Sequence, residues 1–222
     1  MRKKSKAPPA FERARSEEQK EQRVATIVSA AERLFDRHEF EELTLAAIAR
    51  EASFTRSNLY KYFQTREEIL LELLKRDMRR WARLICERLA GRRYGVKRVA
   101  QLWAESLGAE KRLLRLLALL HVQLEKSCSL ESLISFKALA QESMGELTEA
   151  LCKTFKGLHV QRAEEFLAVQ IATASGLYGM THLTDKQKRA AEAAGFYCYD
   201  GLFVELFARS VAHGLQGALG AE

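Results

Sequence analysis

From Val24 to Leu215, apolar residues recur along this chain three and four positions apart. That spacing lines one face of an α-helix. A half-buried strand needs strict alternation instead, and no stretch here shows it. The fold is therefore read as all-α, with about nine helices. The first should run from about Ser16 to His38, capped by Ser16, with Glu17 and Glu18 in its first turn. Its buried stripe is Val24, Ile27, Val28, Ala31, Leu34 and Phe35. Thr44 caps a short helix with the stripe Leu45, Ile48, Ala49 and Ala52. A tight turn at Ser53-Phe54 leads to a third helix, from near Thr55 to near Phe63. Thr65, with Glu68 three residues on, makes a capping box for a fourth, which carries Ile69, Leu70, Leu73, Leu74, Trp81, Leu84 and Ile85 and should end near Gly91.

Beyond Gly91 the helices lengthen. Val96, Val99, Trp103 and Leu107 mark one. Leu113 to Leu124 is apolar nearly all round, which predicts a central buried helix. Ser129 caps a helix from Leu130 to Phe155, and another spans Ala163 to about Leu183. Thr184 to Ala194 reads as a polar connection, ahead of a last helix with Leu202, Phe203, Leu206, Phe207, Val211 and Leu215. The pattern divides the chain into a flexible basic tail (1–16), an N-terminal three-helix unit (17–75) and a C-terminal helical unit (76–222).

The DNA-binding expectation rests on Thr44 to Phe63. Two short amphipathic helices are joined by a turn too short to let them lie antiparallel, which is the helix-turn-helix pattern. Ile48, Ala49, Phe54, Leu59 and Phe63 supply a small shared core, and Ala49 must be small where the helices cross. The opposite side of the second helix carries Thr55, Arg56, Ser57, Asn58, Lys61 and Tyr62. No acidic residue lies between Ala52 and Arg66. A donor-rich face without acids suits a phosphate-lined groove. Arg56 matches guanine edges and Asn58 adenine, while Tyr60, Lys61 and Arg66 suit phosphates. Charge agrees: 36 Lys and Arg against 29 Asp and Glu give a formal net charge of +7.

Three segments carry a family likeness: Ala30-Ala31-Glu32-Arg33-Leu34-Phe35, Thr44-Leu45-Ala46-Ala47-Ile48-Ala49, and Asn58-Leu59-Tyr60-Lys61-Tyr62-Phe63 ahead of Thr65-Arg66-Glu67-Glu68-Ile69-Leu70. Over about residues 20–75 the chain resembles the N-terminal domain of tetracycline-repressor (TetR) family regulators. The resemblance implies an all-α homodimer that binds a double-stranded operator, the palindromic site of a ligand-responsive repressor, with a fourth helix linking the DNA-binding head to the C-terminal effector and dimerisation domain. It implies that Thr44 caps its helix on the DNA backbone, that Arg56, Ser57, Asn58 and Lys61 face bases, and that Tyr60, Tyr62 and Arg66 grip phosphates. One departure stands out: Ser53 occupies the turn position where the family usually has glycine, which bears on the placement of Thr55.

In the C-terminal half, Trp103, His121, Gln123, Phe136, Gln141 and Tyr178 are polar or aromatic residues inside apolar helices, and are candidates to line an effector pocket. Alanine- and leucine-rich walls favour an apolar or amphipathic small ligand. The family's four-helix dimer interface would fall on Ala163–Leu183 and Tyr199–Leu219, with Phe166, Gln170, Leu177, Phe203, Phe207 and Val211 as candidate interface residues and Gly176 and Gly179 allowing close approach. The alternative is a DNA-binding regulator with no small ligand, its C-terminal domain serving dimerisation or a protein partner. No nucleotide-binding, hydrolase or metalloprotease motif occurs, so an enzyme is not expected. Five unclustered histidines and four scattered cysteines predict no metal, no cofactor and free thiols. The absence of a spanning apolar run or signal-peptide core predicts a cytoplasmic protein without a membrane partner.

Overall fold

A computed structural model describes the backbone of residues 10–220 and the side chains of residues 18–220. Among the described residues there are ten helices and no strand. They are α1 (Ala10–Phe35), α2 (Leu45–Glu51), α3 (Arg56–Leu59), α4 (Arg66–Leu89), α5 (Val96–Ala109), α6 (Lys111–Leu119), α7 (Leu130–Thr154), α8 (Val160–Thr181), α9 (Asp185–Ala193) and α10 (Phe203–Gly220). The first helix starts at Ala10, so Ser16 lies within it and does not cap it. The basic residues Arg2, Lys3, Lys4 and Lys6 lie outside the described residues.

The chain separates into two compact units, one through Leu73 and one from Leu74 onward. The first unit closes around Ile27, Ala31, Phe35, Leu43, Ile48, Leu59 and Phe63, all buried. Burying these residues is the main force holding the short helices α2 and α3, which would be marginal alone. The start of α4 is fixed by its cap: Thr65 Oγ1 accepts from the Glu68 N–H at 3.2 Å, and the buried Glu68 carboxylate accepts from the Gln64 N–H at 2.8 Å.

In the second unit α10 packs chiefly on α5 and α8, and α8 also on α6 and α7. Two glycines set these approaches. A Cβ on Gly108 would stand 2.7 Å from Val204 on α10, and one on Gly214 would stand 3.0 Å from Phe166 on α8. Gly176 and Gly179, the expected close-approach positions, have nothing within 4 Å of such a Cβ and lie on an exposed face. The single buried helix expected over Leu113–Leu124 is corrected. After Leu119 the backbone makes a π-helical turn, Leu120–Leu124, in which the Glu125 N–H reaches back to the Leu120 carbonyl. The added residue shifts the register, so His121, Val122 and Gln123 face outward while Leu120 and Leu124 stay buried. Residues 185–193, expected as a connection, form α9, capped by Thr184 and Gln187. Cys198 is exposed, and the other three thiols are half-buried.

Candidate nucleic-acid interface and C-terminal cavity

The link between α2 and α3 is built from backbone hydrogen bonds. The Phe54 N–H donates to the Ala49 carbonyl at 2.8 Å and the Ser53 N–H to that of Arg50 at 3.1 Å. This is a Schellman ending, which needs a left-handed residue at its hinge. Ser53 takes that conformation, with φ 59°, where the family usually has glycine. The turn keeps its shape, and Thr55 is well placed beyond it: its side chain accepts from the Asn58 N–H and caps α3.

The α-helical bonds of α3 end early, but Phe63 N–H still donates to the Leu59 carbonyl at 3.1 Å, which carries the turn to Phe63. Leu59 and Phe63 are buried; Thr55, Arg56, Ser57, Asn58 and Lys61 are exposed together on the other side. Tyr60 and Tyr62 flank them, half-buried. The Arg56 guanidinium donates to the Tyr60 hydroxyl at 3.1 Å and lies over its ring, while Tyr62 takes a 3.2 Å bond from Arg23 and meets Phe54 edge to face. Arg23 on α1 thus joins this surface, and only the fold brings it there. Thr44 Oγ1 accepts from the Ala47 N–H and leaves the N-terminus of α2 exposed at the same side chain.

The acids bordering this surface are occupied. Glu51 is held by Arg33 at 2.6 Å, and that hydrogen bond keeps its carboxyl below the usual range. Glu67 pairs with Arg66 at 2.9 Å. Arg66 itself departs from expectation. Its guanidinium donates to the carbonyls of Phe40 (2.9 Å) and Leu43 and lies over the Phe40 ring. It ties the 40–43 segment to α4 and is spent on the fold, not free for phosphate.

The second unit holds a cavity of about 170 Å³. Trp103, His121 and Phe136, predicted from the sequence, line it; Gln123 and Gln141 are exposed and outside it, and Tyr178 lies elsewhere, stacked on His182. The sequence reading missed Trp81, Met78, Met144 and Ser143, which also line it. Trp81 and Trp103 meet edge to face with centroids 5.4 Å apart, and the Trp81 indole N–H donates to Ser106 at 3.1 Å.

Two family models cover these units. Residues 27–73 match the bacterial regulatory proteins of the tetR family, and residues 75–222 match the tetracyclin repressor-like C-terminal domain. The chain belongs to the TetR family. TetR-family members are DNA-binding transcriptional regulators and not enzymes, and this chain is one such regulator. Solved structures with the same fold include the fatty acid degradation regulator FadR from Bacillus halodurans (TM-score 0.54, 15% identity, 89% of this chain and 98% of that one). The repressor AlkX from a Dietzia strain, implicated in biodegradation of n-alkanes, matches with TM-score 0.52 and 14% identity over 86% and 95% of the two chains. A regulator from Streptomyces coelicolor matches at TM-score 0.50 and 21% identity, over 89% and 99%. No curated protein matches the chain.

Five of the six expected dimer residues of this TetR-family chain are buried within the monomer itself. Phe203, Phe207 and Val211 are at most 3% exposed; Phe166 and Gln170 are also buried within the monomer, and Leu177 is half-buried. A sequence shows that a helix has an apolar face, but not whether its own chain or a second copy covers it. The uncovered face of α8 carries Val169, Ala172, Gly176 and Met180 at helical spacing, with Val169 59% and Met180 50% exposed. No helix is long and apolar enough to cross a membrane among the described residues.

Proposed function

We propose that this regulator is a cytoplasmic repressor that binds a near-palindromic operator as a dimer and is released by a small ligand entering the C-terminal cavity. The observation that carries the reading is the exposed, acid-free face of α3, where Arg56, Ser57, Asn58 and Lys61 stand together beyond the Ser53 hinge. One such face reads a few base pairs. Two related by a two-fold axis read half-sites about one helical turn apart, or a small multiple of that. The uncovered face of α8 supports the dimer: an apolar stripe holding two glycines suits an isologous contact with the same stripe of a second copy. The cavity favours ligand release over the reading in which the C-terminal unit only dimerises.

Sedimentation tests the assembly. The expected species is a dimer at micromolar concentration, and Val169→Glu, which buries a carboxylate in the interface, should weaken self-association at least about tenfold. A monomer that remains monomeric on operator DNA contradicts the reading.

A further inference from the structure

We infer that the cavity takes a compact, uncharged, ring-containing molecule of the phenol class and excludes carboxylates and ammonium ions. Its volume of about 170 Å³ is close to the roughly 150 Å³ in which a dry apolar cavity holds benzene. The wall is made of aromatic and aliphatic side chains: Trp81, Trp103 and Phe136 among the rings, Met78 and Met144 among the adaptable ones. The basic lining residues, His121 and Lys137, have side chains 67% and 59% exposed, so they form the rim. Glu125 lies between them, bonded to His121 Nδ1 at 2.9 Å and to Lys137 Nζ, so the Lys137 charge is offset at the rim. Nothing charged lines the interior. A ligand carboxylate or ammonium carried inside would lose its water without gaining a counter-ion, and that cost decides against charged ligands.

The interior has polar groups of a different kind. Gln170 is tied to Ser210, whose hydroxyl donates to its side-chain oxygen at 3.1 Å. Ser143, 3% exposed, lines the cavity and makes no hydrogen bond to another described residue. An unpaired hydroxyl on the lining of an apolar space is satisfied by a ligand that brings one donor or acceptor of its own. That requirement selects phenol over toluene.

The sequence contains two tryptophans, and both line this cavity, so intrinsic fluorescence of the full-length protein reports on occupancy directly. Phenol, toluene, benzoate and benzylamine are titrated in turn. Phenol should change the emission saturably and bind about fivefold tighter than toluene, with benzoate and benzylamine at least about tenfold weaker than phenol. Ser143→Ala should bring phenol and toluene to equal affinity. Ala140→Leu, which fills the cavity from α7, should abolish binding while the circular dichroism stays that of the wild type. Charged probes that bind as well as phenol, no saturable response to any probe, or undiminished binding by a folded Ala140→Leu variant would each overturn the inference. It rests on the ligand-release reading only for its consequence at DNA. Saturable phenol binding that leaves operator affinity unchanged supports this ligand class and contradicts release.

Discussion

At the scale of single residues, side chains that look alike in the sequence divide by what they touch. Arg56 and Arg66 flank the same acid-free stretch, yet Arg56 is exposed on α3 while Arg66 donates to two backbone carbonyls and lies over Phe40. Their variants should separate cleanly. Arg56→Ala and Asn58→Ala should each cost about 1–3 kcal/mol of operator affinity and relax base preference at one position, with the melting temperature unchanged. Arg66→Ala should cost about 2–3 kcal/mol of stability and leave base preference alone, since it removes charge-assisted bonds inside the fold. Binding to a panel of single-base operator variants, paired with thermal denaturation, distinguishes the two outcomes. Ser53 gives a second contrast. A left-handed serine is strained by about 1–2 kcal/mol, and glycine's extra freedom in the unfolded chain takes back about 0.4–1. Ser53→Gly should therefore stabilise the protein by about 0.5–1 kcal/mol without changing DNA affinity. A lowered melting temperature would show that the hinge is not strained.

At the scale of elements, legibility followed burial. The stripes of α1 and α2, the caps at Thr44 and Thr65, and the turn at Ser53 could be read because a buried face or a cap leaves a residue pattern. Helix α9 could not, because none of its residues is buried and a helix without a covered face shows no apolar period. The π-helical turn at Leu120–Leu124 was hidden for the opposite reason: leucines surround it, so the register shift changes no composition. Ion pairs between elements were equally invisible. Asp77 on α4 is fully buried and meets Arg112, at the start of α6, with bonds of 2.6 and 3.2 Å; Arg76 and Arg80 stand 3.5 and 3.9 Å away. Arg79 likewise pairs with Glu142, and Arg80 with Glu110. Removing one partner of a buried pair costs about 3–5 kcal/mol, and the two remaining arginines hold the loss near the lower end. Arg112→Met should lower the unfolding free energy by about 3 kcal/mol in urea, and adding Asp77→Asn should recover part of it. An unchanged midpoint for the single variant would mean that Asp77 is satisfied without Arg112.

At the scale of the whole molecule, α4 runs unbroken from the Thr65 cap to Leu89, and its later turns carry Met78 and Trp81 to the cavity wall. A ligand that favours one packing of this wall must also favour one state of the reading head if release operates. A coupling of about 1–3 kcal/mol corresponds to about a 5–150-fold loss of operator affinity, and linkage requires operator DNA to weaken ligand binding by the same factor. Titrating phenol by tryptophan fluorescence with and without operator should return that common factor; equal affinities would exclude release through this cavity. The central claim lies further upstream, in the α3 face reading DNA as one of a two-fold pair. Selection of bound duplexes from a random pool tests it most directly. The expected product is an inverted repeat whose half-site centres lie about one helical turn apart, or a small multiple of that, recovered by the wild type and lost by a folded Arg56→Ala/Asn58→Ala variant. A pool with no symmetric motif, or the same motif selected equally well by that variant, would contradict it.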